Sequence, residues 1–286
     1  MIIRFAPSPT GPLHLGHAYS AILAHDLARA QRGQFVLRVE DIDQTRSRPH
    51  WETQIYNDLS WLGLTWDGEV MRQSDRRAIY RAALAQLWER NLIYVCTCRR
   101  RDILQALGAP QEGVGIGPDG PVYPGTCRTG GGATGLLPTG AALRLNMRAA
   151  LSALGNPASF EFGEFNDALL SGHQQVRIPA DVLVHHVGDV VLSRRDFPGS
   201  YHLSVVLDDA AQGITDVVRG QDLFGATQIH LVLQRLLGLE KPRYHHHKLI
   251  RDAAGKRLAK RDDARAITKY RADGASPEDI RRMVGL

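Results

Sequence analysis

The sequence predicts an α/β fold built on a parallel β-sheet, and the N-terminal segment carries most of that prediction. A short apolar segment, residues 2–6, ends at prolines and a glycine. Apolar residues then recur at helical spacing from Leu15 to Ala30, and a second apolar segment follows at 35–39 after a short turn past Gly33. Strand, helix and strand with a short return is how a parallel sheet begins.

The later elements follow from the same two periodicities. Helical spacing of apolar residues predicts helices at 51–62, 76–90 and 226–239, the last closing at Gly238. Short apolar runs predict strands at 92–95, 189–194, 201–207 and 214–219. The three histidines at 245–247 are interpreted as a further strand and not as a metal site, because adjacent residues on a strand point to alternate faces. A final helix is expected to begin at Ser276, because a serine N-cap followed by a proline and acidic residues is a strong helix start.

Composition and charge narrow the class of protein. Of the 286 residues, 43% are hydrophobic and 23% charged, which is typical of a globular chain and excludes a disordered one. The N-terminus shows no signal pattern and no apolar run reaches the length of a membrane span, so we expect a cytoplasmic protein with no membrane association. The net charge of +5 is compatible with a polyanionic partner such as nucleic acid.

A glycine- and proline-rich stretch interrupts the regular pattern from about 96 to 140. We interpret it as a small irregular insertion, since so long a loop inside a compact fold needs its own stabilising cross-link. Cys96, Cys98 and Cys127, the three cysteines of the chain, flank it. An odd count argues against a disulfide framework and leaves two possibilities, buried thiols or a metal site.

His14, Gly16 and His17 predict an anion site at the start of the first helix. Two histidines three apart share a helix face, and they lie at the first turn, where unpaired N–H groups and the helix dipole favour phosphates. Gly16 would let a flat ligand approach the backbone. The alternative is that both histidines only cap the turn. A zinc site of the metalloprotease type is disfavoured, because its histidines are four apart with an intervening glutamate.

A second basic motif lies far downstream. Residues 252–261 place four cations around a short segment, which by itself is typical of a solvated basic loop. Together with the opening motif, it resembles the two ATP-binding signatures of class I aminoacyl-tRNA synthetases, known as HIGH and KMSKS. Lys260 matches the second lysine of KMSKS, whereas Arg257 and Ala259 depart from its first lysine and its serine.

Longer stretches resemble the glutamyl branch of that class: residues 4–17, 36–46, 206–220 and 242–246. The resemblance spans about residues 2–270 and implies a Rossmann-type catalytic domain with a small zinc-binding insertion and a short C-terminal helical subdomain. We therefore expect a catalytic domain over 1–240, interrupted at about 96–140, and the KMSKS loop with the helical subdomain over 241–286. No anticodon-binding domain is expected.

The resemblance also implies a reaction, in which glutamate attacks the α-phosphorus of ATP to give glutamyl adenylate. His14, His17 and Lys260 would be catalytic and, with Gly16, would bind ATP, accompanied by Mg²⁺. A substrate with two carboxylates and one ammonium needs arginines and a carboxylate around it. The residues that the resemblance places against glutamate are Arg4, Ser8, Glu40, Tyr201 and Arg219.

The resemblance further implies that Cys96, Cys98, Tyr123 and Cys127 hold one structural zinc ion, with the tyrosine as fourth ligand. No histidine occurs between His50 and His173, so a histidine cannot complete the site locally. The alternative is three reduced cysteines without a metal.

Few residues follow the KMSKS-like segment, whereas full glutamyl-tRNA synthetases carry a large anticodon-binding region there. The chain is therefore similar to the shortened paralogues, the glutamyl-Q tRNA(Asp) synthetases, which attach glutamate to the queuosine base in the anticodon loop of tRNA(Asp). The expected partners are ATP, L-glutamate and queuosine-containing tRNA(Asp), and a monomer is expected. Two alternatives remain open: a truncated enzyme that charges a tRNA 3′ end, and a catalytically silent tRNA-binding paralogue.

Overall fold

The computed structural model describes residues 1–99, 101–103, 115–128, 135–165, 172–251 and 265–286. In these residues a central sheet has the strand order β3-β2-β1-β11-β12-β8-β9, beside a sheet of order β10-β7-β4 and a hairpin β5-β6. The strands are β1 Ile2–Phe5, β2 Gln34–Val39, β3 Met71–Arg72, β4 Ile93–Cys96, β5 Ile116–Gly117, β6 Gly120–Pro121, β7 Ala142–Leu145, β8 Ser159–Phe165, β9 His173–Pro179, β10 Val191–Ser193, β11 Asp216–Gly220 and β12 Arg243–His247.

The helices connect and cover these strands. They are α1 Leu15–Ala30, α2 Pro49–Trp61, α3 Arg77–Glu89, α4 Met147–Ala153, α5 Ala180–Val182, α6 Tyr201–Ala211, α7 Ala226–Leu237, α8 Ile267–Ala272 and α9 Pro277–Val284. None of the helices in these described ranges is long and apolar enough to cross a membrane.

The central sheet confirms the predicted α/β class with a mostly parallel sheet. Every neighbouring pair in it is parallel except β8 and β9. Strand β1 lies between β2, which follows it in sequence, and β11, which joins much later. The order of strands therefore reverses at β1, and ligands of such sheets bind at the carboxyl ends of the strands beside this point.

Apolar side chains cover both faces of the sheet. Val217 and Val218 are adjacent in β11 and belong to different buried clusters, as expected for side chains that alternate across a strand. The cluster around Val218 includes the buried face of α1 as well as Ile267 and Ile280 from α8 and α9. The division of the chain at residue 240 remains a prediction.

Several helix ends follow the sequence signals. Gly238 ends α7 in the left-handed conformation with φ +66°, which glycine adopts without steric cost. Ser276 caps α9 by accepting a hydrogen bond from the backbone of Asp279. An ion pair of 2.6 Å between Arg281 and Asp26 then joins α9 to α1.

The predicted strand at 201–207 is wrong, because this segment is the first part of helix α6. The helix is buried on several sides, including His202, Leu203, Val205 and Val206. A helix buried on several sides reads as a continuous apolar run, which periodicity cannot distinguish from a buried strand. Strands β7, β8 and β9 and helix α4 were not predicted.

Candidate active site and metal centre

A cavity of 320 Å³ opens at the carboxyl ends of β1, β2 and β11, where the strand order reverses. Arg4 and Arg219 reach it from within β1 and β11, and Glu40 follows β2 directly. The structure brings together all five residues that were predicted to bind glutamate, since the cavity is lined by Arg4, Ser8, Glu40, Tyr201 and Arg219.

One wall of the cavity carries a balanced set of buried charges. The Arg38 side chain is fully buried and lies 2.7 Å from Asp209 and 3.3 Å from Glu40. Asp209 also accepts a hydrogen bond of 2.9 Å from Arg4. Burial raises the pKa of Glu40, although Arg38 and Arg4 act in the opposite direction. Two guanidinium groups thus face two carboxyl groups, and Arg38 and Asp209 were not identified from the sequence.

Arg219 on the opposite wall has neutral hydrogen-bond partners among the residues that the structure describes. It is 6% exposed, and its guanidinium donates to Thr227 at 2.7 Å, to His246 at 3.0 Å and to the Tyr201 hydroxyl at 3.5 Å. A further contact of 3.3 Å joins it to Nδ1 of His230. Among the described residues no carboxylate pairs with it. A buried cation without a counterion costs much desolvation energy, so this wall is suited to bind an anionic group.

Two neutral histidines hold Arg219 in place. Burial and the neighbouring guanidinium lower the pKa of His230 well below its usual value. Burial also lowers the pKa of His246, against the opposing effect of Glu164, whose carboxylate lies 2.8 Å from its Nδ1. Sequence reasoning missed His230. The signal was available, because Thr227, His230 and Gln234 form a polar stripe at helical spacing within a buried helix.

His14 and His17 form a reciprocal cap at the start of α1. The ring of His14 accepts a hydrogen bond of 3.1 Å from the backbone of Gly16, and the ring of His17 accepts one of 3.2 Å from the backbone of His14. Both histidines therefore cap the helix, which does not decide between the capping alternative and a role in phosphate binding. A Cβ on Gly16 would lie 3.0 Å from the His14 ring, so the missing side chain leaves space for that ring.

The two histidines face different cavities. His17 lines the 320 Å³ cavity, whereas His14 lines a neighbouring space of 1010 Å³ together with Trp51 and Lys269. Their roles in catalysis, and that of Gly16 in ATP binding, remain predictions. The KMSKS-like segment with Arg257, Ala259 and Lys260 lies outside the described residues.

The three cysteines and Tyr123 converge in the insertion. The three Sγ atoms lie within 4.8 Å of one another, with 3.4 Å between Cys98 and Cys127. The Tyr123 hydroxyl lies 3.6 Å from Cys96 Sγ and 3.4 Å from Cys98 Sγ. Ligands of a tetrahedral zinc ion with metal–sulfur bonds of about 2.3 Å lie roughly 3.8 Å apart, so this donor set fits a zinc ion.

The surroundings act differently on the members of the cluster. Burial raises the pKa of Tyr123, and, against a hydrogen bond with Tyr123, burial and the neighbouring thiols raise the pKa of Cys98, whereas the thiolate of Cys127 is favoured. Burial acts to raise the pKa of Cys127, but hydrogen bonds, of which that with Tyr123 is the largest, lower it to about 6. Arg144, which was not identified from the sequence, donates to Cys96 Sγ at 3.3 Å and stacks over the Tyr123 ring at 4.0 Å. A guanidinium in this position stabilises thiolate and phenolate ligands electrostatically.

A charged pocket at the point of strand reversal, beside a histidine-capped helix, is the arrangement of a class I tRNA synthetase. The family model for tRNA synthetases class I (E and Q), catalytic domain, matches residues 1–115 and 166–286. A crystal structure of a glutamate tRNA ligase from Elizabethkingia meningosepticum in complex with its amino acid superposes with a TM-score of 0.73 at 27% identity. The match covers the whole chain and 60% of that ligase.

Curated relatives give the finer classification. A glutamyl-Q tRNA(Asp) synthetase from Rhodobacter capsulatus is 61% identical over the full length of both chains. One from Nocardia farcinica is 43% identical over 97% of this chain and 81% of its own length. The chain belongs to the glutamyl-Q tRNA(Asp) synthetase family.

Proposed function

We propose that the chain is an ATP-dependent ligase that activates L-glutamate and transfers it to the queuosine base of tRNA(Asp). The observation that carries the amino-acid part is Arg219, a buried guanidinium without a carboxylate partner among the described residues, opposite Glu40 in one cavity. The names of the curated relatives support the choice of acceptor.

Glutamate fits this cavity by charge. Arg219 and Arg4 would take the two carboxylates, because a guanidinium is always charged and forms strong, charge-assisted hydrogen bonds to a carboxylate. Glu40 would bind the ammonium group. The positive charge of this group would favour the ionised form of Glu40, which burial disfavours. Ser8 and Tyr201 would complete the contacts with their hydroxyl groups. Arg4 is partly neutralised by Asp209, so Arg219 would provide the stronger attraction.

The reaction then proceeds in two transfers. An α-carboxylate oxygen of glutamate attacks the α-phosphorus of ATP, and pyrophosphate leaves. A queuosine hydroxyl next attacks the glutamyl carbonyl, forming the ester as AMP leaves. In the first transfer, His14, His17 and Lys260 would stabilise the charge on the phosphates, with Gly16 beside the nucleotide. Mg²⁺, bound with ATP, would neutralise part of that charge.

The metal centre would stabilise the insertion. Cys96, Cys98, Tyr123 and Cys127 would hold a structural zinc ion, which supplies no step of the reaction. The monomeric state and the cytoplasmic location expected from the sequence belong to this proposal as predictions.

The acceptor is tested with two preparations of tRNA(Asp), one from cells that make queuosine and one from cells that cannot. Purified protein is incubated with ATP, magnesium and labelled glutamate. We expect label on the queuosine-bearing tRNA only. Equal labelling of both preparations would favour a 3′-charging enzyme. Absence of label together with absence of glutamate-dependent pyrophosphate exchange would favour the silent paralogue.

A further inference from the structure

A row of polar side chains leads from Arg219 to the surface of the insertion, with two hydrogen-bond contacts followed by a contact to a carboxylate. Nη1 of Arg219 lies 3.3 Å from Nδ1 of His230. Nε2 of His230 lies 3.3 Å from Nδ1 of His202, on helix α6. Nε2 of His202 in turn lies 3.4 Å from a carboxylate oxygen of Asp119, in the turn of the β5-β6 hairpin. We call these four residues the histidine row.

The row passes from the interior to the solvent. His230 and His202 are 1% and 5% exposed, whereas the Asp119 side chain is 45% exposed. The hairpin lies directly against the start of α7, since a Cβ on Gly225 would come within 3.2 Å of Pro118. Asp119 therefore faces the buried histidines from an element that belongs to the insertion.

The chemistry of the groups gives the row one direction. A guanidinium only donates hydrogen bonds, so Nδ1 of His230 accepts and its proton lies on Nε2. That proton is donated to Nδ1 of His202, so the proton of the neutral His202 ring lies on Nε2, which is 3.4 Å from the carboxylate of Asp119. A single tautomer of each ring therefore satisfies the whole row, and the carboxylate at its end favours that tautomer.

We propose that Asp119 is a positioning residue for amino-acid binding, acting through His202 and His230 on the guanidinium of Arg219. The inference rests on the proposed role of Arg219 in binding a glutamate carboxylate. Without the carboxylate, His202 is no longer held in the accepting orientation that His230 requires. His230 then offers a less well-defined acceptor, and the guanidinium loses part of its orientation. The insertion thereby contributes to the selection of the amino acid.

The test compares Asp119→Ala with a matched control, Glu69→Ala, which removes an exposed carboxylate away from the row. Pyrophosphate exchange gives the KM for glutamate, the KM for ATP and kcat. We expect the KM for glutamate to rise about three- to tenfold in Asp119→Ala, the effect of weakening one hydrogen bond of Arg219. The KM for ATP and kcat should stay within about twofold. Asp119→Asn restores an acceptor oxygen and should recover most of the loss.

A second measurement follows the rings themselves. Nitrogen-15 NMR of labelled histidines should show the Nε2–H tautomer for His202 and His230 in the wild-type chain, and a changed His202 signal in Asp119→Ala. An Nδ1–H tautomer of either ring would overturn the proposal. So would an unchanged KM for glutamate, or an equal rise in the KM for ATP. If the wild-type chain shows no glutamate-dependent exchange, the proposed function fails. The measured tautomers would still test whether the histidine row has the proposed arrangement.

Discussion

Replacement of Arg219 by lysine tests the amino-acid site most directly, since it keeps the positive charge and removes the planar fork. Four of the five guanidinium N–H groups face Thr227, His246, His230 and Tyr201. The ammonium of a lysine has three donors on one atom and cannot reach acceptors on all these sides and a substrate carboxylate together.

The expected cost follows from the hydrogen bond that is lost. A hydrogen bond to a charged group contributes about 1.5–3 kcal/mol. The loss of one such bond to the substrate carboxylate should lower kcat/KM for glutamate roughly 10- to 150-fold. Most of the change should lie in the KM for glutamate, because Arg219 lines the cavity proposed for glutamate, whereas His14 lines the neighbouring space.

Glutamate-dependent pyrophosphate exchange measures this change. Arg243→Lys is the matched control, because Arg243 lies on the neighbouring strand β12 with a side chain that is 53% exposed. It should behave like the wild type. A KM for glutamate that stays unchanged in Arg219→Lys while the KM for ATP rises would refute the reasoning.

Three further predictions concern Glu40, on the wall of the cavity that faces Arg219, and the metal centre. Because burial raises the pKa of Glu40, glutamate affinity should fall as the pH is lowered towards that pKa. The Glu40→Gln variant should bind glutamate weakly at every pH. A loss of affinity at low pH that persists in this variant would contradict the prediction. Cys98→Ser should lower the bound zinc, measured by atomic absorption, together with Tm, and an unchanged zinc content would remove the metal assignment. Arg144→Met should weaken zinc binding about tenfold in a chelator competition, whereas Arg177→Met, at an exposed arginine, should not.

The family resemblance located the residues of the cavity but not the groups that support them. Arg219 ends a predicted strand and Glu40 follows one, whereas Arg4 lies within the predicted segment 2–6. The carboxyl ends of these strands meet at one edge of the parallel sheet, where ligands bind. Arg38 and Asp209 are far apart in sequence, and only the folded chain brings them within 2.7 Å. No local pattern encodes such a pairing.

At the metal centre, too, the sequence indicated the ligands but not the residue that supports them. The spacing of Cys96, Cys98 and Cys127 indicated a possible site, because the cysteines lie near one another along the chain. Arg144 reaches them across the antiparallel pairing of β4 with β7, and β7 was not predicted. The residue that stabilises the ligand charges was therefore not accessible to sequence reasoning.

The misassigned segment at 201–207 has a consequence for the site. Tyr201 lines the cavity, and Asp209 holds Arg4 and Arg38 beside it. The predicted strand over 201–207 alone would span about 20 Å, so Tyr201 and Asp209, which lies beyond its end, could not serve one small cavity. On a helix the separation along the axis is about 12 Å. Helix α6 thus allows one segment to supply both a lining hydroxyl and the carboxylate that balances the arginines, a pairing that the predicted strand excluded.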